Sequence, residues 1–591
     1  MKNARGALIA LSLLAGSLPG GAGDWIRISS ADPRPAAVGL IRATADSSVI
    51  HFELSGFLSE GVRTPRGEAR VIRVDRATPI LARGAPDLPK LTGSVIIPDA
   101  ADMKVDILAA SFTEYEGVAV APSKGNLSRD VNPEDIPYSY GLAYDRDGFF
   151  PGQLAELRPP HIVRAHRGQT VVVYPFQYNP VTGTLRVYYD LTVSVSPTGR
   201  PGLNPLLRPS WSPGAGDPFG GVYPRLFMNG GNLDSGLTDE PGPMLIISDG
   251  AFLDALAPFV EWKESQGFDV TLADAATIGD AAAVKAFIAD LYRTKGLAYV
   301  LLVGDAARMP PSSMAAGDSD NDYAYVAGDD HYPDLCVGRF SAERIDEVQT
   351  QVRRSMAHET ALPRPVLSLA WGAGIASSLG PGDDDEMDFE HIRKISVLLQ
   401  GEAFMFCFEL FDGSQGGTDA AGNPSSESVA QAVNVGAELV NYAGHGSRFG
   451  WGTSGFDVDD IGSLSNIRTH PVIWSVACKN GDFAQTTCFA EAWLRASHNG
   501  EPAGAAAFLG STINQSWDPP MCGQDAMNAL LAEACADGRT CRFGPISMAG
   551  CMRMNDEYGP YGEAMTDAWT CFGDPSLIIF PHPPGFPSFS R

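Results

Sequence analysis

The chain has 591 residues, 44% hydrophobic and 19% charged, with a formal net charge of −27 and a pI near 4.7. That length and composition suit several globular cores, about three to four domains, and exclude disordered and fibrous chains. They also argue against nucleic acid as a partner, because neutralising a phosphate backbone takes clustered Lys and Arg, whereas an acidic surface suits basic peptides or divalent cations.

Residues 1–23 carry Lys2 and Arg5, a short apolar run from Ala7 to Ala15 and a Gly20-Gly21-Ala22 exit, the pattern of a secretory signal peptide that sends the chain to the periplasm or the medium. No later stretch approaches the ~20 continuous apolar residues of a bilayer span, so no membrane span is expected. From 24 to 197 short alternating strands such as Ser48–Leu54, Thr170–Tyr174 and Thr184–Val195 predict an all-β domain. Residues 198–225 are dense in Pro and Gly, lack periodicity and predict an exposed linker. Over 226–582 strands alternate with amphipathic helices. Met244–Ser248 is a strand, Val284, Phe287, Ile288 and Leu291 share one helix face, and Ala298–Asp305 is a buried strand whose terminal Gly304-Asp305 is expected on the functional edge. Further strands are expected near 334–338, 366–375, 404–410, 437–443, 471–477 and 503–509. This is the pattern of an α/β domain with a mostly parallel sheet flanked by helices, and residues 583–591 form a short tail.

Two of these strands end in reactive side chains. Glu438–Ala443 is broken by Gly444 and presents His445 and Gly446; Pro471–Ala477 delivers Cys478. A lone Cys at a strand end is more often a small buried hydrophobe, but two consecutive strands that place His and Cys at their carboxyl ends form a nucleophile with its base. The N–H groups of Gly446 and Cys478 offer an oxyanion hole. All nine cysteines lie between Cys336 and Cys571; with Cys478 set aside, eight remain, an even number that suits either disulfides, with Cys535 and Cys541 close enough to clip a loop, or reduced core thiols. Asp318, Asp320 and Asp322, with Asp329 nearby, offer hard oxygen ligands that suit either calcium or a solvated acidic loop. A second acidic run, Asp383–Glu390, precedes His391, which is expected on a helix surface.

The hydrophobic block ending in His-Gly, followed by one ending in Ala-Cys, resembles the caspase-like cysteine peptidases. NYAGHGS at 441–447, VACKNGDF at 476–483, CFAEAWLRA at 488–496, STINQSW at 511–517 and FGDPSL at 572–577 resemble the gingipain family. Gly84-Ala85-Pro86-Asp87-Leu88-Pro89 resembles a turn of gingipain-type propeptides. The resemblance implies a caspase-like catalytic domain behind an all-β propeptide that is removed or retained as an inhibitor. It implies a secreted cysteine endopeptidase zymogen acting on peptide or protein substrates. Cys478 attacks, His445 moves the proton and an acyl-thioester forms, with no cofactor required for the chemistry and calcium as a structural ion. Asp388 has two candidate roles, third member of a triad or floor of a pocket for substrate Arg or Lys. The pocket is preferred, because Ser511–Trp517 is closer to the arginine-specific gingipains, with Gln515 and Ser516 lining it and Trp517 lidding the Arg stem. One departure stands out: arginine-specific gingipains carry a His-orienting glutamate where this chain has Ser377-Ser378-Leu379-Gly380. An Arg-preferring peptidase could cut its own linker, and Arg225–Leu226 is the first choice. With no adhesin or sorting region seen after Phe580, release is expected over surface attachment. A sortase-like transpeptidase and a silent calcium-dependent binding protein are the alternatives on the same fold.

Overall fold

The computed structural model describes residues 23–30, 32–211, 217, 219–231, 241–315, 317–360, 371–402, 406–537 and 539–580. The expected tail, and the expected signal peptide apart from Gly23, fall outside these residues. The amino-terminal domain is built from three antiparallel sheets. Its longest strand, Thr184–Pro201, pairs with Ser48–Glu53 on one side and Ala101–Tyr115 on the other. Alternation turns Leu185, Val187, Leu191, Val193 and Val195 inward, where they meet Ile50, Phe52, Leu91, Val95, Val171 and Val173 in one core.

The stretch read as an exposed linker is exposed in its first half, with Leu203 and Leu207 75% and 84% exposed, but side chains anchor it there and its second half is packed. Arg200 pairs with Asp102, Arg208 with Asp99, and Trp211 Nε1 donates to Tyr292 O at 2.6 Å. Phe219, Val222, Tyr223, Leu226 and Phe227 are buried in the core of the following domain. Aromatic and aliphatic residues scattered among the prolines supply buried area that average composition conceals.

The carboxyl-terminal domain carries a ten-stranded sheet with, in chain order, β1 Pro243–Ser248, β2 Asp269–Asp274, β3 Tyr299–Val303, β4 Cys336–Phe340, β5 Trp371–Ala376, β6 Phe406–Phe411, β7 Ala437–Ala443, β8 Val472–Val476, β9 Ala507–Ser511 and β10 Trp569–Gly573. The spatial order is β2-β1-β3-β4-β10-β9-β8-β7-β5-β6. All pairs are parallel except β9–β10, so two parallel halves run in opposite directions. Helices include α1 Leu253–Ser265, α2 Ala281–Lys295, α3 Ile345–Thr360, α4 Asp388–Glu402, α5 Ser426–Val435, α6 Phe489–Arg495, α7 Asp518–Ala536, α8 Phe543–Tyr558 and α9 Pro560–Ala568. Separate apolar clusters on the sheet show that helices cover both faces. The reversal corrects one expectation. The β3 terminus, with Gly304-Asp305, lies at the edge opposite the carboxyl ends of β7 and β8, and Asp305 is therefore remote from Cys478.

Candidate active site

β7 and β8 are neighbours in parallel register, Ala443 beside Val476, so His445 and Cys478 leave the sheet side by side. Cys478 is 3% exposed; burial pushes its thiol up, an effect opposed by the backbone of Gln515 and by the Arg129 guanidinium. The His445 carbonyl accepts from the Tyr442 hydroxyl at 2.5 Å and from Gly452 N–H at 2.8 Å. Among the described residues no carboxylate lies within ion-pair distance of the His445 imidazole, and its ring meets Trp517 edge-on at 6.5 Å. Gly446 is needed for close approach: a Cβ there would stand 2.7 Å from Ala477 Cβ and 2.9 Å from Cys478 O. The bare backbone of Gly446 thus lies against that of Cys478, where an oxyanion between the two N–H groups would sit.

Asp388, the first residue of α4, is fully buried. Its carboxylate accepts from Ser377 Oγ at 2.6 Å and from Arg129 Nη1 at 2.9 Å. Arg129 comes from the amino-terminal domain. It is also fully buried, and its guanidinium lies 4.3 Å from the Trp517 ring. The segment carrying it pairs antiparallel with the loop after β9. Arg129 N–H donates to Gln515 O at 2.7 Å, Trp517 N–H to Leu127 O at 3.0 Å, and Asn126 Nδ2 to Ser516 Oγ at 2.9 Å. The chain then turns back, with Val131 N–H donating to Ser128 O at 3.2 Å and Trp517 Nε1 to Val131 O at 2.8 Å. Cys478, His445, Gly446, Asp388, Gln515, Ser516 and Trp517 are thus brought together as one cleft, already filled by an arginine. Sequence reasoning missed Arg129. Nothing local marks it; only the demand that an acidic pocket be filled by a basic side chain could have pointed to one arginine of the β domain.

Other expected residues sit elsewhere. Asp320 pairs with the buried Arg339, Asp322 with Lys285 and Ser312 Oγ, and Asp318 accepts from Ser313 Oγ, while Asp329 is exposed. These four carboxylates do not converge and do not fit one calcium ion, because two of them already neutralise cations. Among the described residues the acids that do converge are Asp383, Asp384 and Asp525. Arg225 lies in a helical turn, Tyr223–Leu226, with its Nε donating to Glu533 at 2.9 Å and Leu226 buried behind it, so its peptide bond is no exposed processing loop. His391 is buried, not on a helix surface, and meets Gln524 Oε1 at 3.0 Å. No disulfide is formed among the described residues, so the Cys535–Cys541 clip is not made. No helix among the described residues is long and apolar enough to cross a membrane.

Comparison with known proteins shows the family. The family model for peptidase family C25 matches residues 237–580, and that for the C25 propeptide matches residues 29–204. Gingipain R2 of Porphyromonas gingivalis is 37% identical over 556 residues, 92% of this chain and 74% of that protein. Gingipain R1 of the same organism is 37% identical over 553 residues, but the chain spans only 54% of its length. The crystal structure of the Arg-specific cysteine proteinase gingipain R superposes with a TM-score of 0.54 at 35% identity, covering 58% of this chain and 79% of that one. The complex of the RgpB pro- and mature domains from P. gingivalis gives 0.52 at 35% identity, covering 57% and 79%. The chain belongs to peptidase family C25.

Proposed function

We propose that the chain is the latent form of a secreted cysteine endopeptidase that cuts after arginine, with the β domain as its own inhibitor. The observation that carries this reading is the Arg129 guanidinium seated against Asp388 under Trp517, beside Cys478 and His445. Burying a guanidinium demands a carboxylate, and Asp388 supplies it; substrate arginine would take the same place once the β domain leaves. Cys478 attacks the carbonyl carbon after that arginine while His445 accepts the thiol proton and returns it to the leaving amine. Water then hydrolyses the thioester, and the N–H groups of Gly446 and Cys478 hold the oxyanion in both steps. No cofactor takes part. Asp388 is fully engaged by Arg129 and Ser377, which favours its pocket role over a place beside His445.

The turn at Ser128–Val131 explains why Arg129 inhibits. A scissile bond must run extended past the nucleophile, whereas the Arg129–Asp130 bond lies inside a turn that folds back over Trp517. The reading is tested by giving the processed protein matched fluorogenic peptides with Arg, Lys, Asp or Ala at P1, beside a Cys478→Ala control. Cleavage confined to Arg peptides and lost in the control is the expected result. Thiol-dependent cleavage after another residue would remove the pocket assignment, and product formation only with an added amine would replace hydrolysis with transpeptidation.

A further inference from the structure

With no carboxylate among the described residues within ion-pair distance of the His445 imidazole, its angle to the Cys478 thiol depends on how the two strand-end loops are fixed to each other. Side-chain contacts join them, the first of them through Asn480. Asn480, two residues after the nucleophile, is fully buried, and its Nδ2 donates to Ser447 O at 2.7 Å and to Gly450 O at 3.2 Å, both on the loop that begins at His445. Its Oδ1 accepts from Ser475 Oγ at 2.8 Å, and that hydroxyl in turn accepts from Trp451 Nε1 at 3.0 Å. Trp451 stacks on Tyr442, ring centroids 4.7 Å apart and planes 7° from parallel, and the Tyr442 hydroxyl holds the His445 carbonyl. Both amide hydrogens of Asn480 are therefore spent on the His loop and its oxygen on the strand that carries Cys478.

The nucleophile side of this joint is itself anchored. Lys479 N–H donates to Ile513 O at 3.0 Å, Gly481 N–H to Ser511 O at 2.9 Å, and Asn480 O accepts from Ala490 N–H at 3.0 Å. At the outer end of the same two loops, Arg448 Nη2 meets Asp482 Oδ2 at 2.5 Å, with about four-fifths of each side chain buried. Arg448 is three residues from the base and Asp482 four from the nucleophile. The two contacts bracket the gap between the loops.

We propose that Asn480, seconded by the Arg448–Asp482 ion pair, is a positioning residue that sets His445 against Cys478 in place of an orienting carboxylate. The proposal rests on the Cys478–His445 reading. Asn480 touches no reacting atom. It acts through the backbone it holds, where a shift of about 1 Å can cost on the order of 10²-fold in rate. The S1 cleft is built from other elements, the start of α4 and the loop after β9, so loss of the joint should spare binding of the arginine side chain.

The experiment uses the full chain, produced as Asn480→Ala, Asn480→Ser, Arg448→Gln, Cys478→Ala and His445→Ala and then processed. It reads kcat per titrated active site, KM for an Arg peptide, the pH dependence of kcat/KM and the rate of Cys478 alkylation by iodoacetamide. Asn480→Ala is expected to lower kcat by about 10²-fold with KM within a few-fold of wild type, to shift the pH profile and to slow alkylation. Arg448→Gln is expected to do the same more weakly, and the charge-reversed pair Arg448→Asp with Asp482→Arg is expected to recover part of the loss. Should Asn480→Ala fail to fold, the Arg448 variants carry the test on the same readouts. A fall in active fraction and Tm, with kcat per titrated site and the pH profile unchanged in both sets, would overturn the positioning role and leave Asn480 a fold-stabilising residue. Retained cleavage in His445→Ala would instead overturn the dyad on which the proposal stands.

Discussion

Asp388 and Arg129 are each wholly buried, so neither charge has water to fall back on and each depends on the other. Removing one partner of such a pair leaves an uncompensated charge, at a cost of about 3–5 kcal/mol. Arg129→Ala is therefore expected to loosen the plug by roughly 10²- to 10⁴-fold. Unprocessed protein should then turn over an Arg peptide that the unprocessed wild type leaves intact, as a fluorogenic assay would read directly. Asp388→Asn in the processed enzyme is expected to lower kcat/KM for Arg peptides by at least about 10²-fold while Cys478 alkylation continues, separating pocket from nucleophile. Cys478 and His445 were legible in the sequence because each follows a strand end that apolar patterning marks, whereas Asp388 was singled out only by the family resemblance. Arg129 was not, because an arginine in a polar turn looks like any surface arginine until the opposite domain is placed over it.

The strands of the catalytic domain were legible as apolar runs, and their observed limits fall within a few residues of expectation: β5 at Trp371–Ala376, β7 at Ala437–Ala443, β8 at Val472–Val476. The direction of each strand was not. A hydrophobic run records burial and not polarity of the chain, so nothing in Ala298–Asp305 announces that β3 ends on the far edge from β7 and β8. The one antiparallel contact, β9 with β10, arises because the chain passes from β9 through α7, α8 and α9 before β10 closes the gap beside β4. Close packing of the two catalytic loops gives a test at this level. In Gly446→Ala the added Cβ would meet Ala477 Cβ at 2.7 Å and Cys478 O at 2.9 Å, so the loops must separate. A fall in kcat of at least about 10²-fold, with thermal stability lowered by no more than the ~1–3 kcal/mol typical of overpacking, is the expected outcome.

Across the whole molecule the β domain and the catalytic domain share a largely polar, buried interface. Arg158 donates to the carbonyls of Asn555 and Glu557 at the end of α8, and Arg164 to Leu297 O and Asp334 O. His161 lies flat on Tyr332, centroids 3.7 Å apart, and burial beside Arg158 and Arg167 pushes it down to about 3. A histidine whose folded-state value lies below its ordinary 6.5 stays neutral in the native chain while the unfolded chain takes up the proton. Its contribution is intact above pH 6.5 and is lost as pH falls from 6.5 toward 3. Asp330, pushed up to about 6 by burial, works in the opposite sense, favouring the native chain at low pH and losing that advantage as pH rises through 6. The two are separated by substitution. His161→Phe keeps the stack and is expected to flatten the acid limb, narrowing the loss of stability between pH 7 and pH 4.5 by roughly 2–3 kcal/mol in denaturant titrations. Such interdomain contacts leave no periodic trace, which is why the stretch from 198 to 225 was read as loose when its aromatics are in fact packed. The plug at Arg129 has one more consequence, which concerns dilution. While it is tethered, the arginine faces its pocket at an effective concentration of about millimolar or more, whatever the protein concentration. Once the tether is cut, the same contact becomes an ordinary bimolecular equilibrium. A nicked sample should stay silent when concentrated and awaken on dilution, so that specific activity rises as total protein falls.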